Sequence, residues 1–73
     1  MAQLTNAQYD AIERAVIDGT RIAARRSGRR ESIFIPTRLR VIDGREAIEG
    51  RNPTTGHDLT IFLDELESIE VVR

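Results

Sequence analysis

The sequence predicts a mainly β domain with one N-terminal α-helix, in which about five short antiparallel strands wrap into a small barrel. Three observations predict it. Apolar residues recur at helical spacing only within the first twenty positions, and beyond them the period falls to two. Short turn signals, Ser27-Gly28, Asp43-Gly44 and the run from Asn52 to Gly56, divide the period-two part into strands. One domain over residues 1–73 is expected, with the helix at about 6–18 and the barrel at about 20–72.

The helix has a complete start signal. Thr5 followed by Gln8 fits a capping box, and Leu4 with Tyr9 fits the accompanying hydrophobic staple. Tyr9, Ile12 and Val16, flanked by Ala11 and Ala15, make one apolar stripe, while Asp10, Glu13, Arg14 and Asp18 take the opposite side. Gly19 ends it. A helix this short is unstable alone, so its stripe must lie on a sheet or a partner.

In the first strand Ile22 and Ala24 alternate with Arg21, Ala23 and Arg25. Ile33 and Ile35 follow on one face with Phe34 on the other, and Pro36 then removes a ladder donor, so a bend or an edge is expected there. Leu39 and Val41 alternate with Arg38 and Arg40, ahead of the hairpin signal at Asp43-Gly44. The strand at 45–52 reads as the poorest, with only Ala47 and Ile48 apolar. Leu59, Ile61 and Leu63 then share a face opposite Phe62, the acids Asp64 and Glu65 form a step, and Leu66, Ile69 and Val71 supply a second apolar set. Two half-apolar strands ending a chain are expected to close the sheet on itself, in a small barrel of the SH3 or Sm-like kind. Phe34 and Phe62 are expected in the core.

Composition narrows the function classes. A chain of 73 residues buries only about 60% of the surface its unfolded form exposes, and without cysteine no disulfide or thiolate metal site adds stability. Self-association is therefore expected: a homodimer or ring held by apolar strand or helix contacts with arginine–carboxylate pairs at the rim. The competing possibility is a monomer whose helix caps its own barrel. No apolar run reaches membrane-span length and no leader pattern opens the chain, so a cytoplasmic protein is expected. The lone His57 beside Asp58 reads as an exposed loop residue, with no second histidine or cysteine to build a nucleophile. An enzyme, a cofactor and a metal site are not expected.

Charge is the one functional signal. Eight arginines against two acids give residues 21–45 a net +6, whereas residues 46–73 carry −5 and the first twenty −2. All eleven basic residues are arginine, each able to make forked contacts to carboxylate or phosphate. If Ile22, Ala24, Leu39 and Val41 point inward, then Arg21, Arg25, Arg38 and Arg40 point outward and gather with Arg26, Arg29 and Arg30 into a phosphate-binding patch. The alternative is that they pair with the C-terminal acids. Asp64, Glu65 and Glu67 form a second candidate, a docking face for a basic protein surface.

The stretch from Ile12 to Val72 resembles a shortened WYL domain, the Sm-like barrel of bacterial transcription regulators. The resemblance rests on the helix ending at Gly19, the strand opening at Arg21, the strand carrying Pro36 and Leu39, and the Asp43-Gly44 hairpin. The closing Leu63-Asp64-Glu65-Leu66 step, with Ser68-Ile69-Glu70 after it, completes the set. Where that family has its Trp-Tyr-Leu triplet this chain has Glu46-Ala47-Ile48, and Glu65 stands where the closing step usually bears arginine. The opening run from Tyr9 to Ala15 and the Leu63-Asp64 step are also similar to Rof-type antiterminators, which bind the termination factor Rho. Both resemblances imply a non-enzymatic regulatory or adaptor module that binds nucleic acid or protein in transcription. A structural barrel that only self-assembles is the alternative from another class.

Overall fold

A computed structural model describes residues 4–72. The helix, α1, spans Asn6–Asp18 with Thr5 as its N-cap. Thr5 Oγ1 accepts from the Gln8 amide at 3.1 Å, and Gln8 Oε1 accepts from the Thr5 amide at 2.7 Å, so the expected capping box is complete. Gly19 ends the helix in the left-handed region at φ 69°. Five strands follow: β1 (Ile22–Arg26), β2 (Ser32–Ile42), β3 (Arg45–Arg51), β4 (Asp58–Phe62) and β5 (Leu66–Val71), with a 3-10 turn at Leu63–Glu65 between the last two.

The expected fold class holds: one helix and five antiparallel strands in one sheet, ordered β4-β3-β2-β1-β5. The closure expected of the last two strands does not occur. β4 and β5 are the two edges, joined through the 3-10 turn and not hydrogen-bonded to each other. Helix α1 instead packs across β2 and β5. Ile12 and Ala15 carry its buried face and Tyr9 packs at its margin, while Val16 is half-buried and Ile17 is 82% exposed.

One residue in β2 explains which side chains reach the core. Pro36 pairs with Gly50 and Arg38 with Glu49, so Thr37 is an extra residue opposite no partner of its own. A bulge of this kind reverses the alternation of faces. Phe34 and Pro36 therefore point inward before it and Leu39 after it, which leaves Arg38 and Arg40 outside. The bend expected at Pro36 is this bulge, and the expected placement of Leu39 inward with Arg38 and Arg40 outward holds. Ile33, placed opposite Phe34 by the sequence, takes the solvent side at 45% exposure, and Phe34 is fully buried. Val41, expected inward, is 63% exposed because the β2–β3 hairpin runs past the core. The strand continues through Pro36, whose missing donor is tolerated at the bulge, and the Thr37 hydroxyl donates to the Glu49 carbonyl at 3.1 Å.

The strand read as poorest lies between β2 and β4, with Ala47, Ile48 and Gly50 all buried. Its apolar count is low because one buried position is glycine, leaving room for the Phe34 ring. The core joins Ile12, Ala15, Ile22, Ala24, Phe34, Ile48, Ile61, Leu63 and Leu66. Ala23, grouped by alternation with the exposed arginines, is also buried, paired with Ile33 and Glu70 outside that cluster. Phe62 is not a core residue: it is half-buried on the outer face, where the Arg45 guanidinium lies 3.9 Å from its ring centroid.

Candidate functional site

The arginines divide into a paired group and a group with little or no pairing. On the outer face of β2 and β3, Arg38 and Arg40 both reach Glu49. Arg38 donates through Nε to Oε1, and Arg40 through Nη1 to Oε2 at 2.9 Å. Arg45 forks onto Asp64 at 2.8 and 2.7 Å while stacking on Phe62, and lies 3.7 Å from Glu65. Arg51 lies 3.6 Å from Asp58. Each of these cations already has a carboxylate partner.

Two of these pairs move a titration. The hydrogen bond from Arg38, seconded by Arg40, holds the Glu49 carboxyl below the usual carboxylate range against partial desolvation. The Arg45 fork does the same for Asp64. Tyr9 shifts upward because its hydroxyl donates to Glu46 at 2.7 Å, tying α1 to the β2–β3 hairpin, with burial and the Glu46 charge adding to the effect. A carboxyl lowered in the folded state stabilises the fold above its unfolded pKa, and that contribution disappears as pH falls through the folded value. Thermal stability is therefore expected to fall below about pH 4, the ordinary carboxylate range. Glu49→Gln should flatten that acid limb, and an unchanged slope in melts from pH 7 to pH 2 would remove Glu49 from the account.

The second group surrounds the β1–β2 turn. Arg25 lies 3.7 Å from Glu67, and Arg26 lies 4.0 Å from Glu65, contacts too long for a good hydrogen bond. Arg29 and Arg30 are exposed, and neither makes an ion pair among the described residues. The turn is held in place by backbone. The Ser27 amide donates to the Glu65 carbonyl at 3.3 Å, the Arg29 amide donates to the Arg26 carbonyl at 3.1 Å, and Gly28 takes φ 71°. Arg26, Ser27 and Arg29 line a surface cleft with Asp64, Glu65 and Glu67.

The single patch expected from the sequence is thus two surfaces. Ala24 pairs with Ser32, so Arg25 lies just past the start of β2, whereas Arg38 is six residues further along that strand. At ~3.3 Å per residue the separation along β2 is about 20 Å, with the Thr37 bulge between. Arg21 precedes β1, exposed and without an ion pair among the described residues, and its carbonyl accepts from the Val72 amide at 2.9 Å. The three acids named for protein docking lie beside arginines: Asp64 on Arg45, Glu65 between Arg26 and Arg45, Glu67 near Arg25.

His57 is exposed in the loop before β4, its amide donating to Thr55 Oγ1 at 3.2 Å. Among the described residues, no group of three His, Asp or Glu side chains is arranged to hold a metal ion, and no helix is long and apolar enough to cross a membrane.

No protein-family model matches the chain, and no curated protein matches it. Among solved structures it is similar to the proteasome accessory factor B/C (PafBC) of Arthrobacter aurescens, with a TM-score of 0.75 and 24% identity. The match covers 96% of this chain and 12% of PafBC. At that identity the likeness is one of fold alone, to a small part of PafBC.

Proposed function

We propose that the chain is a non-enzymatic, WYL-like module of bacterial transcription that holds the phosphate backbone of nucleic acid at its β1–β2 turn. The observation that carries the reading is the placement of four arginines within six residues, Arg25 and Arg26 at the end of β1 and Arg29 and Arg30 in the turn after it, the last two without ion pairs among the described residues. Exposed guanidinium groups without partners bind phosphate without first giving up a carboxylate. The sequence resemblance to WYL domains supports a regulatory role, and the likeness to part of PafBC agrees with the fold. The loss of the family triplet at Glu46-Ala47-Ile48 argues that any ligand is held elsewhere than on that strand, where Ala47 and Ile48 are buried.

Titration against single-stranded and duplex oligonucleotides at low salt tests this. Binding is expected to weaken steeply with salt, since each phosphate contact releases counterions. Arg29→Gln with Arg30→Gln should lower affinity roughly 10-fold or more, consistent with loss of two such contacts. Arg38→Gln with Arg40→Gln should change it less than about twofold, because Glu49 already holds both side chains. No binding by a protein shown to be folded would overturn the nucleic-acid reading and leave protein docking, including a Rof-like contact with Rho, as the function to test.

A further inference from the structure

Helix α1 presents to solvent a row that no other part of the described chain uses. Ala7, Asp10, Arg14 and Ile17 are all exposed and follow one another at spacings of three, four and three residues, the interval that keeps side chains in one line along a helix. Ile17 is the most exposed large apolar residue on the described surface, at 82%. Asp10 and Arg14 lie one turn apart but pair neither with each other nor with another described residue. Beside this row, Ala7 and Ala11 of α1 and Val71 of β5 line a shallow groove.

We infer that this face binds a second copy of the chain through an antiparallel, two-fold α1–α1 contact. The charges select that occupant and orientation. Antiparallel packing about a two-fold axis near residue 12 sets Asp10 of each copy against Arg14 of the other and lays each Ile17 over Ala7, at the mouth of the groove. Parallel packing would set Asp10 against Asp10 and Arg14 against Arg14, and is repelled. One pattern thus accounts for the exposed isoleucine, the two unpaired charges and the alanine-lined groove. A contact centred on a helix of 13 residues is small against the ~1,000 Å² of a stable interface, so the dimer is a weak one that forms at high micromolar protein. The inference is independent of the nucleic-acid reading, because the β1–β2 turn contributes nothing to it.

Sedimentation equilibrium of the full chain from 10 µM to 1 mM at low ionic strength, concentrations set on the order of the affinity of weak complexes, reads the dimer directly. The wild type is expected to shift towards twice its monomer mass. Asp10→Arg alone and Arg14→Asp alone should each abolish that shift, since each sets like charges against each other. The double substitution should restore it, and an equimolar mixture of the two single variants should associate with each other. Both sites are exposed, so circular dichroism should stay native in every variant. A single monomeric mass for the wild type across the range, or an unaltered shift in Arg14→Asp, would overturn the inference.

Discussion

Gly50→Ala is expected to destabilise the protein by about 3 kcal/mol, the upper part of the range for forcing a methyl group into a packed core. A Cβ on Gly50 would meet Cε2 of the Phe34 ring at 2.9 Å and the Ile35 carbonyl oxygen at 2.8 Å. The ring can swing only into a filled core, since Phe34 is fully buried. The carbonyl belongs to the β2 backbone where it pairs with β3, so it can move only by distorting the ladder. The glycine is thus set by the aromatic ring across from it, and the two residues are energetically coupled. Phe34→Leu costs stability by itself, but Gly50→Ala added to it should cost at least about 1 kcal/mol less than in the wild type. Urea unfolding of the four proteins of this cycle measures the coupling. A Gly50→Ala variant within about 0.5 kcal/mol of wild type, the size of an ordinary surface substitution, would show that this packing is not tight.

That pair also shows where sequence pattern stops being informative. The helix was legible to the residue because capping is local: Thr5, Gln8 and Gly19 state its ends within the helix's own sequence. The strands and their turns were legible from period and from glycine. Face assignment in β2 was legible as far as Leu39, inward with Arg38 and Arg40 outside, because Pro36 marked a break. The bulged residue itself, Thr37, was not, because it is decided by pairing with β3, and Val41 lies beyond the core. The 45–52 strand looked weak for a related reason: Gly50 contributes no apolar signal although its lack of a side chain is what admits Phe34.

The candidate site was legible as charge but not as geometry. The surplus of arginine in residues 21–45 is plain in the sequence, yet which of those arginines remain available depends on where acids from distant strands land. Glu49 lies beside Arg38 and Arg40 only through the β2–β3 register, and Asp64 reaches Arg45 only because the 3-10 turn brings the end of β4 back past the hairpin. Arg29 and Arg30 stand apart because no carboxylate among the described residues lies within ion-pair distance of the turn positions that carry them. A glycine-containing turn flanked by arginines is the signal the sequence carries for them, and charge alone does not separate it from Arg38 and Arg40.

Ile12→Ala is expected to cost about 2–4 kcal/mol, within the range for removing a buried isoleucine side chain. Its effect should exceed that of equal truncations elsewhere on α1. The sheet is open between β4 and β5, so the helix shields the inner face, and Ile12 at 1% exposure is its largest buried side chain. The remaining attachments are small or peripheral: Ala15 offers only a methyl, and Tyr9 is held at the margin by its bond to Glu46. Truncating Ile12 therefore loosens the helix as a unit and exposes Ile22 and Phe34 beneath it. Ile17→Ala, on the same helix but 82% exposed, should stay within about 0.5 kcal/mol of wild type at concentrations where the chain is monomeric. Hydrogen exchange separates loosening of the helix from general destabilisation. In Ile12→Ala the α1 amides should lose protection before those of β3, which is paired on both sides. Equal losses of stability for Ile12→Ala and Ile17→Ala, or loss of protection in α1 and β3 together, would mean that the helix does not act as the separable cover of an open sheet.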